Sequence, residues 1–130
     1  MKKLLTLLAV ALMATTLQAA PKKLLVVTTT TGFRHSSIPT LEKMLEQLGK
    51  DSGEFTVDLV QQPPGKPADL KKDATDEQKA EFAAASKEWD EALKTALEKL
   101  SPDNLKNYDG VVFASTTGDL PIPDKQGFLD

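Results

Sequence analysis

Apolar positions along this chain alternate between short continuous runs and longer stripes at helical spacing. Residues 23–28 contain the unbroken run Leu24-Leu25-Val26-Val27. A run that is continuous rather than alternating predicts a strand covered on both faces by helices. Ile38, Leu41, Leu45 and Leu48 then recur at helical spacing, with Met44 beside them. They predict an amphipathic helix, capped by Ser36 or Ser37 and stopped at Gly49. Residues 55–60 form a second apolar run, so strand, helix and strand make a βαβ unit with a right-handed crossover.

The middle of the chain changes character. Residues 62–72 are a linker carrying Pro63, Pro64, Gly65 and Pro67. Thr75 with Gln78 three residues later has the spacing of a capping box. Phe82, Ala85, Trp89, Leu93, Ala96 and Leu100 follow as one stripe, most simply core packing, with a partner-binding face as the alternative. This helix is long for so small a domain, and residues 62–100 read as a helical insertion lying across or beyond the sheet. Ser101-Pro102 restarts a short helix, residues 111–115 form a third strand, and Pro121 and Pro123 open a last helix with Phe128 and Leu129.

This pattern is an α/β fold with a parallel sheet, taken in the order 2-1-3. Three strands leave the third as an unprotected edge. The last helix reaches Asp130 without a C-cap or a basic last turn. The expectation is therefore a domain that continues beyond residue 130; the alternative is a naturally three-stranded one.

The first residues belong to another class. Lys2 and Lys3 precede an apolar stretch over 4–17, and Gln18-Ala19-Ala20 closes it with small residues. This is the layout of a secretory signal peptide over 1–19, with the domain at 21–130. The stretch is shorter than the roughly 20 apolar residues a membrane anchor needs, although an uncleaved anchor is the alternative. The expected location is secreted or periplasmic, without stable membrane insertion after cleavage. Cysteine is absent, which excludes disulfides, thiolate metal sites and a cysteine nucleophile. The net charge of −3 becomes −5 once Lys2 and Lys3 are removed, a poor match to nucleic acid.

Candidate chemistry gathers in two loops that echo each other. The first strand runs into Thr28-Thr29-Thr30-Thr31-Gly32-Phe33-Arg34-His35-Ser36-Ser37, and the third into Ser115-Thr116-Thr117-Gly118-Asp119. With strand order 2-1-3 these loops flank the point where the chain reverses direction, where α/β sheets tend to bind ligands. His35, the only histidine, is a candidate acid or base, or else a donor that shapes its own loop. Arg34 is suited to a carboxylate, phosphate or sugar hydroxyl, or to a salt bridge with Asp119. Asp119 is suited to fixing sugar hydroxyls or orienting His35, or to a turn after Gly118. Thr31, Gly32, Ser37, Thr116, Thr117 and Gly118 complete the candidate substrate-binding set. The loops carry neither GxGxxG nor GKS/T, so neither is a phosphate loop, and the cofactor stays unknown at this level. One histidine with scattered carboxylates is weak evidence for a metal site, and none is assigned.

The segment from Lys23 through Gly32-Phe33-Arg34-His35-Ser36-Ser37-Ile38, with Tyr108-Asp109-Gly110-Val111-Val112-Phe113-Ala114-Ser115-Thr116-Thr117-Gly118-Asp119, resembles the ThuA-like, or trehalose-utilisation, family. The resemblance covers the part after the signal, apart from the insertion. It implies a flavodoxin-like, three-layer α/β/α fold of the class I glutamine-amidotransferase-like superfamily. Amidotransferase activity does not follow, since the nucleophilic cysteine is missing. What does follow is a link to carbohydrate metabolism, with a small-molecule sugar as partner. The motif positions carried over are Gly32, Phe33, Arg34, His35 and Ser37, with Thr116, Thr117, Gly118 and Asp119. Whether the chain is a sugar-processing enzyme, a non-catalytic binding or scaffold module, or an inactive fragment stays open at this level, as does self-association.

Overall fold

A computed structural model describes residues 19–129. The signal-peptide segment therefore lies outside the described residues, apart from Ala19. Strand β1 (Lys22–Val27) leads through helix α1 (Ile38–Ser52) to β2 (Phe55–Val60). Helix α2 (Asp76–Leu97), a 3-10 turn (Glu98–Leu100) and α3 (Pro102–Leu105) return the chain to β3 (Gly110–Phe113), and α4 (Lys125–Leu129) follows.

The sheet is parallel, in the order β2-β1-β3, as expected for a flavodoxin-like α/β fold. Val27 lies level with Val60 on one side and Phe113 on the other, so all three strands end at one edge. Thr28 N–H to Val60 O (3.0 Å) and Ala114 N–H to Val27 O (2.8 Å) carry the ladder one residue further. The crossovers run in opposite lateral directions from a parallel sheet. With right-handed connections, α1 and α2 are then on opposite faces.

Side-chain alternation along β1 divides the core. Leu25 and Val27 join Val60, Trp89, Leu93, Leu97, Leu100 and Leu120 in one buried cluster on the α2 face. Fully burying such a side chain contributes about 1.5–3 kcal/mol, so this cluster is the main anchor of the second crossover. Ile38 and Val26 are buried outside it. The long helix is thus the crossover itself. Its second half packs on the sheet, while Ala85 in its first half is exposed. Its start is the expected capping box, with Gln78 N–H donating to Thr75 Oγ1 at 3.2 Å and Thr75 N–H to Gln78 Oε1 at 2.9 Å.

Helix α1 differs from the reading of its sequence. It passes Gly49 and ends at Ser52, with Gly53 in the left-handed conformation (φ 67°) and its N–H on Gly49 O. Gly49 serves packing instead: a Cβ there would lie 2.7 Å from Phe55 O. Ser37 precedes the helix without a side-chain cap bond, because its hydroxyl is committed to His35. Leu48 and Met44 are each 49 % exposed, so the buried stripe is narrower than the apolar one.

Asp58 fastens β2 to the return segment. Lys99 Nζ lies 2.7 Å from its Oδ1, and the Tyr108 hydroxyl donates to its Oδ2. Burial raises the Asp58 carboxyl, but hydrogen bonds from Lys99 and Tyr108 outweigh it and hold the group below its ordinary 3.8. Burial and the neighbouring carboxylate push Tyr108 up to about 12.

Candidate functional site

Three threonines at the end of β1 are fully buried, and their hydroxyls face inward. Thr28 Oγ1 donates to Glu42 Oε1 (2.5 Å), Thr29 Oγ1 to Val60 O (2.9 Å) and Thr30 Oγ1 to Gln62 Oε1 (2.6 Å). A buried hydroxyl without a partner is costly, and these partners remove that cost. The threonine run therefore anchors the loop and leaves ligand contact to the residues after it.

Those residues lock onto the β3 loop. Thr31 N–H and Gly32 N–H both donate to Thr117 O, at 2.9 and 3.1 Å. Thr117 Oγ1 returns a bond to Phe33 O (2.6 Å), and Thr31 Oγ1 donates to Asp119 O (3.1 Å). Gly118 makes this approach possible. Its φ is +84°, and a Cβ there would fall 2.1 Å from Thr31 Oγ1. The loops flanking the reversal point thus meet directly at Thr31–Gly32 and Thr117–Gly118.

Arg34 turns inward. Its Nη1 donates to Thr28 O at 2.7 Å, and its Nη2 lies 3.7 Å from Glu42 Oε1. Its ion-pair partner is Glu42 rather than Asp119. The Asp119 carboxylate instead meets Lys125 Nζ at 2.9 Å in a solvent-facing pair. Glu42 also accepts from Gln61 Nε2 at 2.7 Å. A carboxylate interrupting the buried stripe of α1 was the available signal for this role.

His35 is exposed at the mouth of the loop. Its Nδ1 accepts from Ser37 N–H (3.2 Å) and lies 2.8 Å from Ser37 Oγ. An accepting Nδ1 fixes the neutral ring as the Nε2–H tautomer. Nε2 has no hydrogen-bond partner among the described residues. It is therefore set to donate a hydrogen bond. Phe33 packs edge-on against it, with ring centroids 6.2 Å apart, and is itself 75 % exposed. Thr116 is half-buried, without a side-chain hydrogen bond among the described residues.

Beside the β1–α1 loop, toward the proline-rich segment, there is open space. A cleft of about 550 Å³ is lined by Thr31, Gly32, Phe33 and Arg34 and, across from them, by Lys66, Pro67, Ala68 and Asp69. Lys66 Nζ spans it at one end, donating to Thr31 O (2.8 Å) and Gly32 O (3.1 Å), and lies 5.5 Å from the centre of the Trp89 ring. Thr31, Gly32 and Arg34 of the candidate set reach this cleft, whereas His35, Ser37, Thr116, Thr117, Gly118 and Asp119 are not among its lining. Lys66 and Asp69 were not foreseen, since nothing in a proline-rich linker marks a charged residue as a wall.

Among the described residues, no group of three His, Asp or Glu side chains could hold a metal ion. No helix among them is long and apolar enough to cross a membrane. No family model, curated protein or solved structure matches the chain.

Proposed function

We propose that this chain is an exported ThuA-like protein that binds carbohydrate, trehalose or a related glycoside, at the carboxyl end of its sheet. One observation carries the reading: an exposed aromatic ring, Phe33, stands beside an imidazole whose Nε2 is free, on the loop that follows the central strand. Sugars present apolar C–H faces and hydroxyl edges, and a ring next to a directed donor matches both. The sequence resemblance around Gly32-Phe33-Arg34-His35 supports the same class of ligand.

In this reading His35 donates a hydrogen bond from Nε2 to a hydroxyl or a glycosidic oxygen and is the acid–base candidate. Arg34 holds the loop through Thr28 O and Glu42, so its part is positioning. His35→Ala is expected to weaken sugar binding and to abolish any turnover of trehalose, read by calorimetry and by release of reducing sugar. Unchanged binding and turnover in that variant would remove His35 from the site.

A non-catalytic binding module is the second reading. It is favoured by the Asp119 carboxylate, which is engaged by Lys125 and not by His35. Measurable hydrolysis of any glycoside would decide against it.

A further inference from the structure

We propose that the cleft between the β1–α1 loop and the proline-rich segment seats one neutral, polyhydroxylated ring, with Phe33 as its stacking face and Asp69 and Lys66 as its hydroxyl partners. The inference rests on the carbohydrate reading above and gives that ligand a place.

The β1 and β3 loops are joined by Thr31 N–H and Gly32 N–H on Thr117 O and by Thr117 Oγ1 on Phe33 O, so a ligand cannot enter between them there without breaking those bonds. The cleft toward the proline-rich segment offers about 550 Å³. Small-molecule sites commonly span about 300–1,000 Å³.

The segment leading into the far wall is pinned by Thr30 Oγ1 on Gln62 Oε1 (2.6 Å) and by Trp89 Nε1–H on Pro63 O (3.1 Å), and Lys66 of the wall itself bonds the two loop carbonyls. The wall is thus held at Lys66 and by the segment leading into it, which lowers the ordering cost of binding there.

Lys66 and Asp69 line the same cleft without forming an ion pair. Among the described residues Asp69 has no hydrogen-bond or ion-pair partner, and Lys66 directs two of its three N–H donors to carbonyls. An acceptor-only carboxylate and a remaining ammonium donor on one wall suit adjacent hydroxyls, which both donate and accept. The guanidinium of Arg34 is already offset by Glu42, and Asp69 offsets Lys66. The cleft then carries no excess positive charge with which to select an acid or a phosphate.

The test is calorimetric titration of the chain with methyl glucoside, trehalose, glucuronate and inorganic phosphate. It is repeated on Asp69→Ala and Phe33→Ala, two exposed positions whose side chains hold no hydrogen bonds among the described residues. The expected result is binding of the neutral sugars, with glucuronate weaker by about fivefold and each variant weakening the neutral sugars by about tenfold. Neutral sugars that bind unchanged to both variants would overturn the cleft while leaving the carbohydrate reading standing. Tighter binding of glucuronate or phosphate would overturn the neutral ligand. Absence of binding by every sugar would overturn the inference together with the reading beneath it.

Discussion

Arg34 Nη2 lies 3.7 Å from Glu42 Oε1, the same oxygen that accepts the Thr28 hydroxyl at 2.5 Å. One buried carboxylate on α1 thereby joins the end of β1, the loop that follows it and, through Gln61, the residue after β2. The loop carrying Phe33 and His35 owes its position to this junction. Glu42→Ala is expected to cost about 2–4 kcal/mol, because it strips Arg34 and the Thr28 hydroxyl of a shared partner. Glu42→Gln keeps the hydrogen-bonding shape and is expected to cost less. Urea unfolding of both variants measures the difference, and an unchanged midpoint in Glu42→Ala would contradict the junction.

Gly118 and Gly53 separate two causes of glycine preference. Both have positive φ, +84° and +67°, but only Gly118 is crowded; a Cβ at Gly53 meets nothing within 4 Å. Gly53→Ala is expected to cost about 1 kcal/mol, the left-handed backbone alone. Gly118→Ala should cost about 2–3 kcal/mol, since Thr31 and Gly32 must also move. Equal losses in thermal unfolding would show that the interlocked loops contribute nothing.

The Tyr108–Asp58 contact predicts a pH dependence at the alkaline end. The folded pKa of Tyr108, about 12, lies above its ordinary 10.0. Its contribution is complete below pH 10 and is lost as pH rises from there through about 12. Asp58 has the opposite sign: its folded pKa is depressed, so its contribution is present above 3.8 and fades as pH falls. Tyr108→Phe is expected to flatten the alkaline loss relative to the parent chain. Identical alkaline profiles would contradict the assignment.

Asp119 contributes through its backbone. Its carbonyl accepts from Thr31 Oγ1, whereas its carboxylate pairs with Lys125 in solvent. Exposed pairs are worth little, so Asp119→Ala is expected to change stability by less than about 0.5 kcal/mol. Sugar affinity in this variant should also stay close to the parent value. A large loss of affinity would return the carboxylate to the binding set.

The strand positions were readable because continuous apolar runs such as Leu24–Val27 mark buried strands, whereas the order 2-1-3 was taken with the fold class and is the order observed. The capping box at Thr75 was readable because both of its bonds are local. The extent of α1 was less so. Gly49 resembles a stop signal, yet its lack of a side chain serves contact with Phe55, which lies on another element. The pairing of Arg34 followed the same rule: Asp119 and Glu42 are both carboxylates within reach of a plausible fold, and only three-dimensional placement separates them. Lys66 and Asp69 entered the site because the linker folds back over the β1–α1 loop, a path that no local pattern encodes.

The central claim is that sugar binds against the β1–α1 loop beside Phe33 and His35. Backbone amide NMR of the chain during titration with trehalose tests it most directly. The account predicts shifts concentrated at residues 31–35 and 66–69, with the opposite end of the sheet unmoved. Shifts confined to other surfaces, or none at saturating sugar, would contradict it.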